Sequence, residues 1–286
     1  MTIIKRAQIK RALAATAAGA VMATAAHAAP ITITVTNNQD VGGLTLTPLY
    51  FAFTDGAPDA FDAFDVGEAA SAGVEEIAEL GSFGTLAGER NAADPDALGA
   101  VLAAPGGFAG APVIEPGETA SITIDIDPTS QRFVQFLSMI VPSNDTFVGI
   151  DDAVALFSED GTFLGPQVFD LTSAFAYDAG TEVNDPMNGA AFVQGVNEAE
   201  GEEEGGVISL ATDIGMVAGI VAATGQELSP EAVAAFFGGG VSLATISIDA
   251  APVPVPAAAL LFGTALAGAA GVRRRQSRRR DEAGAA

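Results

Sequence analysis

The chain has 286 residues with no cysteine, no tryptophan, one histidine and a formal charge of −24. Ten of its twelve basic residues sit at the two ends, which leaves Arg90 and Arg132 against 34 acids between residues 30 and 250, a net of −32. Such a field repels nucleic acid and anionic lipid and attracts cations, while the missing cysteine excludes disulfide and thiol chemistry.

The N-terminus reads as a secretory signal over residues 1–29. Lys5, Arg6, Lys10 and Arg11 form a basic region, Ala12 to Ala26 an apolar one, and Ala26-His27-Ala28 a small-x-small cleavage site for a signal peptidase, with Ala26 and Ala28 as its small residues. Removal of this segment takes His27 with it, so the remaining chain has neither histidine nor lysine. Imidazole bases, Schiff-base lysines and zinc sites of the usual kind are then excluded together.

Residues 30–250 read as one folded domain. Strands are expected at Ile31 to Thr36, Leu44 to Phe53, Ala120 to Asp127, Phe133 to Val141, Ala153 to Phe157 and Val241 to Asp249. These runs are rich in Val, Ile, Thr and Phe and are separated by turn residues. Ser121 to Asp127 alternates apolar and polar residues, as a strand with one wet face should. Short helices are expected at Val74 to Leu80, Pro95 to Ala104 and Pro230 to Phe237, the last with Pro at its first turn. Many strands with minor helices predict a mainly β fold, an antiparallel β-sandwich. Pro105 to Pro116 and the charge run Asn197 to Gly206 are expected to be loops, the second a solvated one.

Two segments concentrate oxygen donors. In Ser138 to Gly149 a hydrophobic strand ends at Pro142 and presents Asn144 and Asp145. Tyr177-Asp178-Ala179-Gly180-Thr181-Glu182-Val183-Asn184-Asp185 follows about thirty residues later. Carboxylates on the end loops of a sandwich suit calcium, which takes six to eight oxygens in loose geometry. Asp145, Asp178 and Glu182 are the candidate metal ligands, with Asn184 and Asp185 behind them and Asp151 and Asp152 nearby. By spacing alone, structural Asp-Gly turns compete with this reading and are the plainer one.

These two segments resemble the spondin N-terminal domain, whose hallmark is a Ser-Pro-Ser-type turn ending in Asp and a later Asp-Ala-Gly-Thr-Asp. Bacterial spondin-domain proteins are similar further at Phe64 to Ser71, Pro116-Gly117-Glu118, and Leu156-Phe157 through Asp160 to Gly165. The resemblance is clearest over residues 31–190. It implies a β-sandwich that binds one calcium ion (Ca2+) through Asp145, Asp178 and Glu182. It also implies an extracellular adhesion or matrix role. Glu182 stands where the animal pattern has Asp, and Thr146 replaces the aromatic that follows the first Asp there.

The C-terminal region, residues 251–286, has three parts. Val253-Pro254-Val255-Pro256-Ala257 leads into an uncharged run, residues 257–272, and then into an arginine cluster, Arg273 to Arg275 and Arg278 to Arg280. Sixteen helical residues span roughly 24 Å, short of the ~30 Å hydrocarbon core, so the run predicts a short transmembrane helix and a marginal anchor. The arginines should stay cytoplasmic and the acidic domain outside. This order resembles the PEP-CTERM class of bacterial sorting signals, and most the VPLPA-CTERM subtype, with Val255 in place of Leu. The resemblance implies a membrane-embedded, exosortase-type protease as partner and a protein of the cell envelope or exterior. By association with that class, an extracellular glycan or matrix protein is the implied partner.

Three functions fit these features. The first is a calcium-binding adhesion or matrix module and the second a purely structural surface component. A carboxylate-based glycosidase is the third and weakest. It needs only two carboxylates, but two tyrosines and no tryptophan leave few aromatic platforms for a sugar. No G-x-S-x-G elbow is present. The sequence therefore predicts a binding protein and not an enzyme.

Overall fold

Alternation of apolar and hydroxyl side chains builds the first sheet. The computed structural model describes residues 28–104, 112–215 and 218–251. In it β1 (Ala29–Asn37) turns Ile31, Ile33 and Val35 inward. Thr32, Thr34 and Thr36 face outward, where they share hydrogen bonds with Thr123, Ser121 and Thr119 at 3.0, 3.1 and 2.9 Å. Their neighbouring strand is β5 (Thr119–Ile126); on the other side of β1 lies β12 (Ala244–Ala250), followed by β9 (Gln167–Leu171). All three pairings are antiparallel, in the order β5-β1-β12-β9.

The second sheet is buried on both faces, which is why its strands read as unbroken apolar runs. Its eight strands include the path β11 (Ser209–Leu210), β10 (Ala176–Asp178), β7 (Thr146–Gly149), β6 (Phe133–Val141), β3 (Leu49–Thr54) and β4 (Leu98–Leu102). Two-residue strands β2 (Thr45–Leu46) and β8 (Val154–Ala155) also pair with β6. On β3, Leu49, Phe51 and Phe53 point between the sheets and Tyr50 and Ala52 point away.

Between the sheets lies the main core. Phe136 of β6 and Phe169 of β9 meet across it with ring centroids 5.3 Å apart, and each fully buried aromatic there contributes on the order of 2–3 kcal/mol. Helices α1 (Ala72–Leu80) and α2 (Gly84–Ala93) cover the far face of the second sheet through Val74, Ile77 and Leu86. Ser71 caps α1 by accepting from Val74 N–H, and Gly81 closes it with a left-handed φ of 65°. A third helix, α3 (Pro230–Phe237), packs Val233 and Phe236 into the main core.

The architecture is mainly β, two antiparallel sheets and a shared core, as the alternation predicts. One expected element is corrected. Pro95 to Ala104 is not helical: Leu98–Leu102 forms β4, paired along its length with β3. Exposed backbone on the β3 edge recruits the segment as a strand, overriding its local preference. The helix of that region lies earlier, at α2, whose only buried side chains are Leu86 and Arg90. Leu44 to Phe53 divides into β2 and β3 around Thr47-Pro48.

The signal segment with Ala26, the sorting motif Val253, Pro254, Val255, Pro256 and Ala257, and the apolar run 257–272 lie outside the described residues. Ala28 is exposed immediately before β1. Among the described residues, no helix is long and apolar enough to cross a membrane.

Candidate cation site at the end of the second sheet

Strand β6 runs to Val141, and the chain then turns sharply. Ser143 makes the turn: its Oγ donates to Ile140 O at 2.6 Å and accepts from Thr146 N–H at 3.2 Å. Asn144 and Asp145 are thereby held at the tip before β7 begins. Strand β10 pairs antiparallel with β7 so that Asp178 lies opposite Thr146. Register alone thus brings Asp178 beside Asp145, thirty-three positions earlier in the chain.

Asp145 is 0% exposed. Its Oδ2 accepts from Thr181 N–H (2.8 Å), Glu182 N–H (3.1 Å) and the Thr181 hydroxyl (3.3 Å). Its Oδ1 is buried and has no partner. Burial pushes the carboxyl up from 3.8 to about 6, and the negative charge of Asp178 pushes in the same direction.

Asp178 is anchored at both oxygens. Oδ1 accepts from Gly180 N–H at 2.8 Å and Oδ2 from Asn184 Nδ2 at 2.7 Å. Gly180 adopts φ +68°, and a Cβ there would sit 2.7 Å from Val207 N, so glycine is required at this turn. Asn184 Oδ1 is buried without a partner, and so is Thr146 Oγ1. Three orphaned oxygens therefore belong to the two motif loops. Buried acceptors left unpaired are costly, and a hard cation satisfies oxygen acceptors of this kind.

Glu182 is placed differently from its two expected companions. Its backbone N–H holds Asp145, but its carboxylate turns toward Asn144, whose Nδ2 donates to Oε2 at 3.3 Å. It packs so closely on Gly201 that a Cβ at Gly201 would overlap it. Among the described residues, no group of three or more acidic side chains stands where it could hold a metal ion. The structure thus brings Asp145 and Asp178 together and adds Asn184, while Glu182 reaches the pair through its backbone.

Asn144 ties the loops to one another. Its Oδ1 accepts from Asp185 N–H at 3.0 Å and its Nδ2 donates to Asn188 O at 3.0 Å. Asp185 Oδ1 in turn accepts from Met187 N–H at 3.1 Å. Asp151 serves elsewhere, its Oδ1 accepting from Val66 N–H at 3.2 Å.

Beside this site opens an acidic cavity of about 850 Å³, lined by Glu75, Glu79, Thr181, Glu182, Glu198 and Glu203 among others. Burial pushes Glu79 up to about 7, with Glu182, Glu75 and Asp145 adding repulsion against a hydrogen bond from Thr181. Burial likewise raises Glu182, against the Asn144 amide. Nothing in the spacing of Glu79 marks it in the sequence; α1 delivers it from a segment more than sixty residues before the motif.

The Spondin_N family model matches residues 57–201, a span that contains α1, α2, Asp145, Asp178 and Glu182. No curated protein matches the chain. With half of its length matched over both loops of the site, the chain belongs to the Spondin_N family.

Proposed function

We propose that this chain is an exported binding module of the cell envelope whose sandwich end holds one calcium ion. One observation carries the reading: Asp145 Oδ1 is buried and unpartnered beside a second carboxylate. Asp145 and Asp178 would hold the ion with the Asn184 and Thr146 oxygens, and backbone carbonyls and water would complete a shell of six to eight. Calcium in such a site cancels the repulsion between the two carboxylates.

The module acts by binding and not by catalysis, in adhesion or in association with an extracellular glycan or matrix protein. The composition supports this, since a net of −32 on the folded part meets anionic partners through divalent cations. Family membership fits export through the N-terminal signal. The Val253–Ala257 motif, apolar run and arginine cluster support sorting by an exosortase-type protease, with at least transient anchoring in the cytoplasmic membrane.

Calcium titration of the full-length chain, followed by melting temperature, tests the site. A ligand bound only by the native state at a hundred times its Kd adds about 2.7 kcal/mol, which for a domain of this size raises Tm by roughly 5–10 °C. The expected result is such a rise in the parent and none in Asp145→Ala or Asp178→Ala. A parent that melts identically in calcium and in chelator would remove the metal site.

A further inference from the structure

The glutamate-rich run is bonded into the fold. Asn197 caps a single 3-10 turn over Glu198–Glu200, and the chain then lies antiparallel to residues 180–183. Val183 N–H donates to Glu202 O (2.8 Å), Glu204 N–H to Thr181 O (2.8 Å) and Gly206 N–H to Gly180 O (2.6 Å). The same short strip donates its Thr181 and Glu182 N–H groups to Asp145 Oδ2 on its other edge. Residues 180–183 are therefore held on one side by Asp145 and on the other by the acidic run.

Charge works against this closure. The run brings Glu198 and Glu203 to the wall of a cavity that already contains Glu75, Glu79 and Glu182, with no lysine or arginine in its lining. At the far edge of the strip, Asp145 and Asp178 repel each other. Glu75, Glu198 and Glu203 are exposed, so their mutual repulsion is screened by water; the backbone ladder, continued by the pairing of β11 with β10, holds the run down against it. If Asp145 shifts to escape Asp178, it releases Thr181 and Glu182, and the ladder to 202–206 loses its rigid base.

We propose that the acidic run is a latch governed by the charge at Asp145 and Asp178. When a divalent cation neutralises the pair, Asp145 fixes the strip 180–183 and the strip holds residues 202–206 closed over the cavity. In chelator residues 202–206 lose that base and the run lifts away from the strip. The inference rests on the calcium reading above and adds a moving part to it.

Amide hydrogen exchange on the full-length chain tests the latch, read by mass spectrometry on peptides covering 197–207 and, as an internal reference, β1. Calcium is expected to slow exchange at 202–206 by about tenfold or more while β1 is unchanged. Sodium chloride at matched ionic strength should not reproduce the effect, and Asp145→Asn, which keeps the side-chain shape, should abolish the response to calcium. Glu198→Gln combined with Glu203→Gln should slow exchange in chelator, because repulsion is relieved without any ion. If calcium raises Tm but leaves exchange at 202–206 unchanged, or if salt protects equally, the latch is wrong and the calcium site stands. If neither Tm nor exchange responds, both are wrong.

Discussion

Replacing Asp145 by Asn should make the ion-free protein more stable, although it removes a fully buried residue's natural side chain. Raising the carboxyl from 3.8 to about 6 means that, above pH 6, folding carries a penalty on the order of 3 kcal/mol for keeping it ionised, at about 1.36 kcal/mol per pH unit. The sign follows from proton counting. Between pH 3.8 and 6 the folded protein holds more protons than the unfolded chain, so stability falls as pH rises through that window. Asparagine escapes the penalty, and its carbonyl oxygen can still accept from Thr181 and Glu182 N–H. Some of the gain is lost because those hydrogen bonds are no longer charge-assisted. At pH 8 in chelator, Asp145→Asn is expected to be about 1–3 kcal/mol more stable than the parent by urea denaturation. The advantage should shrink toward pH 4, and saturating calcium should reverse the order by stabilising the parent alone. A variant less stable than the parent in chelator at pH 8 would refute the account of Asp145 as a strained, unneutralised charge.

Two further perturbations probe the scaffold. Gly73→Ala lies within α1, where alanine ordinarily helps a helix; here the added Cβ would sit 2.6 Å from Leu86 Cα, so a loss of about 1–3 kcal/mol is expected in the urea midpoint. Arg90 is buried, and its Nε donates to the Tyr50 hydroxyl at 2.8 Å while Nη1 donates to Ala97 O. Arg90→Lys cannot reproduce that fork, and thermal melting should show a loss of about 2–4 kcal/mol from the acceptors left unpaired.

Where side chains alternate over seven or more residues, the sequence is enough to place the element: β1, β5 and β12 lie within three residues of their expected ends, and Pro230 marks the start of α3. Strands of two to five residues carry too little pattern, so β7, β9, β10 and β11 emerge only from pairing. Within 84–104 the sequence predicts only a helix at Pro95 to Ala104; α2 goes unseen because it has a thin apolar face and two glycines, and β4 is a strand only by virtue of the β3 edge beside it. At the site, the adjacency of Asp145 and Asp178 is legible from the motif pair. The orientation of Glu182 is not, since it depends on Gly201 leaving room for the carboxylate. The ladder formed by the acidic run is also hidden, because its backbone bonds ignore the charges that dominate its sequence.

Both arginines of the folded part are engaged within it, Arg90 fully buried and Arg132 half-buried. Arg90 is buried against Tyr50, and Arg132 donates to Asp55 O at 2.9 Å while its guanidinium lies 5.3 Å from the centre of the Phe133 ring. The surface of the folded part is consequently a polyanion with little cationic relief beyond the half-buried Arg132. If the chain acts as the binding module proposed above, two copies, or one copy and an acidic polysaccharide, would drift apart in fresh water and be drawn together where hard-water ions bridge them, so the mineral content of the surroundings would set the strength of that association.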